Sequence, residues 1–156
     1  GSNSELLLQP DDMPDMLESG TLNTPGIVGL GSGASFVAEK GVDEIHRYKF
    51  KLVNLLMEGL SEIKNVTIYS VNDIKRNSGI VAINLDDMDS TELSYILDSE
   101  YGICTRAGLH CSPSAHRTLG TSKRGIVRIS VGYFNTVSDI LQTVRAIQNI
   151  SARMKT

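Results

Sequence analysis

The chain has 156 residues, 40% of them hydrophobic, which is enough for one domain with a sizeable core and too little for two ordinary ones. Its 15 basic and 18 acidic residues nearly balance, so no basic face is on offer to nucleic acid or to an anionic membrane. Apolar runs such as residues 80–83 are far shorter than a membrane span, no basic-then-apolar leader precedes the first charges, and Cys104 and Cys111 cannot make a disulfide framework. A soluble, cytoplasmic protein is expected.

Residues 1–24 show neither helical nor strand period. They open with Gly1-Ser2-Asn3-Ser4 and carry Pro10 and Pro14, as a linker or the start of a segment cut from a longer protein would. Thr24-Pro25 predicts a helix start, with Thr24 as N-cap and Pro25 in the first helical position, running to about Lys40 and stopping at Gly41. Gly26, Gly29, Gly31 and Gly33 weaken that helix by about 1 kcal/mol each, a cost that points to close approach of other backbone or a ligand. Asp43 is expected to cap a second helix whose stripe is Ile45, Tyr48, Leu52, Leu55, Leu56 and Ile63, with Asn65 after it.

Residues 66–70 and 79–85 read as strands, the second apolar enough for burial on both faces. Asp89 with Glu92 resembles a capping box for a helix through Leu93, Ile96 and Leu97 to Gly102. Residues 103–106 are expected to form a strand, with Cys104 a small buried hydrophobe on it. A short helix begins at Ser112-Pro113, residues 125–132 form the last strand, and Asn135-Thr136 opens a closing helix with Ile140, Val144, Ile147 and Ile150 on its stripe. The order predicts an α+β fold: a small, mostly antiparallel sheet with helices packed on it, residues 25–156 forming the domain and 1–24 an extended linker.

Chemistry concentrates in Arg106-Ala107-Gly108-Leu109-His110-Cys111-Ser112-Pro113. Cys111 precedes a helix start and has His110, Arg106 and His116 nearby, the conditions that populate a nucleophilic thiolate. A thiol merely tucked beneath the sheet is the plain alternative. A zinc site from Cys104, His110, Cys111 and His116 is disfavoured, because no C-x-x-C pair exists and the spacing matches no common structural site; no metal is expected. Arg128 stands mid-strand in Ile126-Val127-Arg128-Ile129-Ser130-Val131, either as a snorkelling or ion-paired residue or as a fork for a carboxylate. Glu18-Ser19-Gly20-Thr21-Leu22-Asn23-Thr24-Pro25 places hydroxyls and N–H groups beside a helix start, as a phosphate site or an ordinary capped turn would.

These three segments, the last continuing as Val131-Gly132-Tyr133-Phe134-Asn135-Thr136, together resemble the C-terminal part of class V aminotransferase-fold cysteine desulfurases. The likeness spans essentially the whole chain. It implies the C-terminal small domain of a fold-type I pyridoxal-phosphate enzyme, in which a protein thiolate takes sulfur from L-cysteine and leaves alanine and a persulfide. By that resemblance Cys111 is the sulfur acceptor, preceded by the family's His110. Arg128 grips the substrate carboxylate, and Arg106 borders the same pocket. Gly20 and Thr21 match residues that reach the partner subunit's cofactor phosphate in a homodimer. The persulfide would pass to a sulfur-acceptor protein, serving iron–sulfur cluster assembly, thiocarboxylate carriers or tRNA modification.

The family's cofactor lysine stands in a Ser-x-His-Lys context within a large domain. Lys40, Lys49, Lys51, Lys64, Lys75, Lys123 and Lys155 all stand in other contexts. The chain alone is therefore expected neither to hold the cofactor covalently nor to turn over cysteine. Selenocysteine lyase or cysteine sulfinate desulfinase chemistry on the same scaffold, and a non-enzymatic α+β binding module, are the alternatives. Cys111 favours a thiol substrate over a selenol, because a thiol benefits more from a nucleophile.

Overall fold

The computed structural model describes residues 7–18, 20–73 and 75–154; residues 1–4, Ser19 and Lys155, which figure in the sequence reading, lie outside that set. Two compact units divide at Val42 and Asp43.

In the first unit a 3-10 turn over Asp15–Leu17 is followed by helix α1, Thr24–Lys40. Asn23, not Thr24, is the N-cap: its side chain accepts the Gly26 N–H, which shifts Pro25 to the second helical position. Proline suits that position too, because the first-turn N–H groups have no partner within the helix. None of the residues of α1 is buried, and a Cβ added at Gly29, Gly31 or Gly33 would meet nothing within 4 Å. The close approach expected at those glycines is therefore not seen among the described residues.

The second unit is the α+β sandwich. Helix α2, Val42–Ser61, begins one residue before Asp43, which lies in its first turn as a charge favourable to the helix dipole rather than as its cap. Strands β1 (Val66–Ile68), β2 (Ile80–Leu85), β3 (Arg106–Gly108) and β4 (Ile126–Ser130) form one sheet in the order β1-β2-β4-β3, every neighbouring pair antiparallel. Helices α3 (Ser90–Tyr101), α4 (Pro113–Leu119) and α5 (Val137–Arg153) complete it. Asp89 caps α3 through the Thr91 N–H, and Thr136 caps α5 in a reciprocal capping box with Asp139. The Thr136 N–H holds the Asp139 carboxyl below the usual carboxylate range.

The alternation of β2 and β4 sends Val81, Ile83, Leu85, Val127, Ile129 and Val131 to one face. There they join Leu52, Leu56 and Leu60 of α2, Leu93 and Leu97 of α3, and Ile140, Ile147 and Ile150 of α5 in a single buried cluster. Gly59 lets α2 and α5 close up: a Cβ there would stand 2.7 Å from a Val144 methyl. The opposite face carries Ala82 and Asn84 of β2, Arg128 of β4 and Arg106 of β3, and both faces of β2 are buried as its sequence predicts.

One strand is displaced from its expected place. Residues 103–105 are not in the sheet, because the Ile103 N–H turns back to the Leu97 carbonyl and Thr105 Oγ1 meets Ser94 Oγ at 2.8 Å. With those groups committed to α3, the ladder begins only at Arg106. Cys104 is consequently exposed instead of buried. Its thiol faces Asp98 Oδ1 at 3.5 Å, and that carboxylate, by hydrogen bond and charge, pushes the thiol above its usual range.

Gly125 leads into β4 with φ at +65°, and a Cβ there would lie 2.7 Å from both Gly108 Cα and Ser90 Oγ. Backbone cannot yield as a flexible side chain can. Gly125→Ala is expected to cost about 2 kcal/mol or more of unfolding free energy, through strain at positive φ plus the clash. Urea denaturation of the chain measures it; a loss below about 0.5 kcal/mol would show that β3 and β4 are free to part here.

Candidate active site

The chain leaves β3 at Gly108 and reverses over Leu109, His110, Cys111 and Ser112, closed by the Ser112 N–H to the Leu109 carbonyl at 2.8 Å. Both central residues have positive φ, +50° at His110 and +57° at Cys111. Asparagine and glycine are the usual occupants of such a primed turn, because other side chains crowd the backbone there. A histidine and a cysteine in these places cost of order 1 kcal/mol or more each, so the surroundings must hold the turn in shape.

His110 is one anchor. Its Nε2 lies 3.2 Å from the Ile126 carbonyl oxygen at the start of β4. A carbonyl only accepts, so Nε2 carries the proton and Nδ1 keeps its lone pair. That Nδ1 is buried and has no hydrogen-bond partner. Burial is the main force lowering the His110 pKa, with Arg128, Arg106 and His116 adding to it against the opposing Ile126 contact. The surroundings therefore favour the neutral ring.

The cation within reach of the sulfur is Arg106. Its Nη2 stands 3.9 Å from Cys111 Sγ, and Cys111 is exposed at the turn's apex. Arg128 lies directly across the ladder from Arg106 on one side and from Ala82 on the other. Like charges opposed across an antiparallel pair repel. Among the described residues neither arginine has a carboxylate partner, and Arg128 Nε is buried with no acceptor. A half-buried guanidinium without an acceptor beside a second guanidinium is an arrangement completed by an anion.

The structure thus sets Arg106 beside Cys111 and opposite Arg128 at one end of the β3–β4 ladder, while His110 ties the turn to Ile126 at the other. Gly20 and Thr21 belong to the other unit, Thr21 exposed and Gly20 partly covered, just ahead of the Asn23 cap. His116 lies against His110: it is 2% exposed, its ring stacks on His110 with centroids 6.1 Å apart, and its Nδ1 meets Thr121 Oγ1 at 2.8 Å. Sequence reasoning missed Thr121, which carries no local signal. It also passed over Asn84, a buried amide on the arginine face whose Oδ1 has no partner; a polar residue inside the apolar run of β2 is the signal that marks it. Among the described residues no three His, Cys, Asp or Glu side chains converge on a metal position.

The sequence matches the class-V aminotransferase family over residues 6–142, nearly its whole length. The chain belongs to that family. A probable cysteine desulfurase of Methanothermobacter thermautotrophicus is 32% identical to this class-V chain over 142 residues, covering 90% of the chain and 35% of the relative. A cysteine desulfurase of Yersinia pestis is 32% identical over 139 residues, covering 89% and 33%. Among solved structures, the apo cysteine desulfurase of Thermococcus onnurineus superposes with a TM-score of 0.80 at 29% identity, covering 89% of this chain and 34% of that one. This class-V chain therefore spans about a third of the length of the proteins it matches. No described helix is long and apolar enough to cross a membrane.

Proposed function

We propose that this chain is the C-terminal portion of a pyridoxal-phosphate-dependent cysteine desulfurase and supplies its sulfur-accepting residue, Cys111. The observation that carries the reading is the exposed Cys111 sulfur at the apex of a strained turn, 3.9 Å from a guanidinium and beside an arginine with an unmet N–H. Relatives named cysteine desulfurase support it.

In this reading Arg128 takes the carboxylate of L-cysteine in a forked pair, which fixes the amino acid against the arginine face. Arg106 attends the sulfur. The Cys111 thiolate attacks the substrate sulfur, an S–S bond forms, the C–S bond breaks with its electron pair left on the substrate carbon, and protonation of that carbon gives alanine. Pyridoxal phosphate, when bound, supplies the electron sink for that carbon.

The residues here fit the substrate side of such a group, since Arg128 Nε–H is a donor without an acceptor. They do not fit its covalent attachment, because none of the lysines stands in a Ser-x-His-Lys context. The attachment lysine then belongs to a large domain joined through residues 1–24, Gly20 and Thr21 reach the cofactor phosphate of a partner subunit, and the persulfide passes to an acceptor protein in the cytoplasm.

Peptide mass spectrometry tests the reading on the complete enzyme after brief incubation with L-cysteine and pyridoxal phosphate. One added sulfur on the Cys111 peptide is expected. Bound cofactor with no added sulfur would instead assign another reaction on the same scaffold, such as cleavage of selenocysteine.

A further inference from the structure

The Cys111 turn is held in an unfavourable backbone geometry, and the hydrogen bond from His110 to Ile126 is not its sole restraint. Beneath the His110 ring lies His116, at an interplanar angle of 24°. That second residue is held by burial and by Thr121, through both backbone and side chain. It is buried in α4, its carbonyl accepts the Thr121 N–H at 2.9 Å, and its Nδ1 is 2.8 Å from the Thr121 hydroxyl. Thr121 is itself 1% exposed, and its carbonyl accepts the Gly125 N–H just ahead of β4. A closed circuit results: turn, His110, His116, Thr121, Gly125, Ile126 and back to His110. Such a circuit over-determines a conformation that isolated residues would leave.

We propose that His116 is a positioning residue for Cys111: clamped by Thr121, its ring is the floor on which His110 stacks, and this holds the turn that presents the Cys111 sulfur to Arg106. The groups that face His110 are Arg106 from β3, Arg128 from β4 and His116 from α4. The covering supplied by His116 is the part of this environment that a substitution can remove while both arginines stay in place. The significance for catalysis rests on Cys111 being the sulfur acceptor; the positioning itself does not.

The test uses this chain with Cys104→Ser, so that alkylation reports Cys111 alone, together with NMR titration of the His110 ring protons. His116→Ala is expected to raise the His110 titration midpoint by about half a pH unit or more, since a buried face becomes wet. The same change is expected to slow alkylation of Cys111 by iodoacetamide about fivefold as the sulfur leaves its cation. His116→Phe keeps a flat ring beneath His110 and is expected to retain the low midpoint and an alkylation rate within about twofold of the parent chain. Thr121→Val removes the clamp and should move both readouts in the direction of His116→Ala, which keeps the test decisive if the alanine variant does not fold. Unchanged midpoint and rate in both His116→Ala and Thr121→Val would overturn the proposal.

In the complete enzyme His116→Ala should lower kcat for alanine formation about tenfold with KM for cysteine held within about twofold, because the carboxylate fork is untouched. An enzyme with no desulfurase activity would sink the functional reading while the titration and alkylation results still decide the positioning role.

Discussion

Cys111→Ser is expected to abolish persulfide formation and to lower the rate of alanine release from L-cysteine by at least about a hundredfold, equivalent to about 2.7 kcal/mol of transition-state stabilisation. The argument is chemical. A serine hydroxyl is a far poorer nucleophile towards sulfur than a thiolate, and nothing else in the described site offers a thiol, since Cys104 sits outside the sheet against Asp98. The substitution is otherwise mild. Serine accepts the positive φ of the turn's apex no worse than cysteine, and Cys111 is exposed, so the fold should lose little. Cofactor absorbance should be unchanged in the complete enzyme, because Cys111 is offered to the substrate sulfur and not to the cofactor. Persulfide trapping with a maleimide probe, alongside alanine quantification, separates the cases. An undiminished rate of both would place the nucleophile elsewhere and leave the strained turn without a chemical purpose.

Most of this arrangement is legible before the structure is seen, and the parts that are not have identifiable causes. Proline and capping residues marked α1, α3, α4 and α5 because each helix end has few ways to satisfy its N–H groups. Period-two alternation placed Arg128 on the face opposite the core, which is where it lies. The strand after Gly102 was misplaced because Ile103, Cys104 and Thr105 have good strand propensity, while their backbone and side-chain groups are claimed by α3, a tertiary effect that no local window contains. The pairing of His116 with His110 is hidden for the same reason: six residues of sequence separation do not reveal that the two rings stack with centroids 6.1 Å apart. The positive φ at His110 and Cys111 was invisible too, since turns of that kind announce themselves through glycine or asparagine and this one has neither at its centre.

Arg128 carries the second large expectation. Loss of a charge-assisted fork to a carboxylate costs about 1.5–3 kcal/mol, so Arg128→Ala is expected to raise KM for L-cysteine about 10- to 150-fold in the complete enzyme. The same substitution should not weaken the fold. Arg128 faces Arg106 directly across the ladder, a repulsive pair, and its Nε is buried with no acceptor; alanine removes both penalties at a half-buried position beside Ala82. The unfolding free energy of the chain is therefore expected to stay within about 1 kcal/mol of its starting value or to rise. These two outcomes together distinguish a residue kept for its ligand from one kept for the sheet. Weaker substrate binding with undiminished stability means that the strain in β4 exists for the carboxylate. A large loss of stability with KM unmoved would mean that Arg128 is a structural residue, and the substrate's anion would then fall to Arg106 alone. Arg128→Lys sharpens the comparison, since it restores the charge without the fork. If geometry matters as much as charge, lysine should recover less than half of the lost binding energy, a split that isothermal titration with a non-reacting cysteine analogue reads directly.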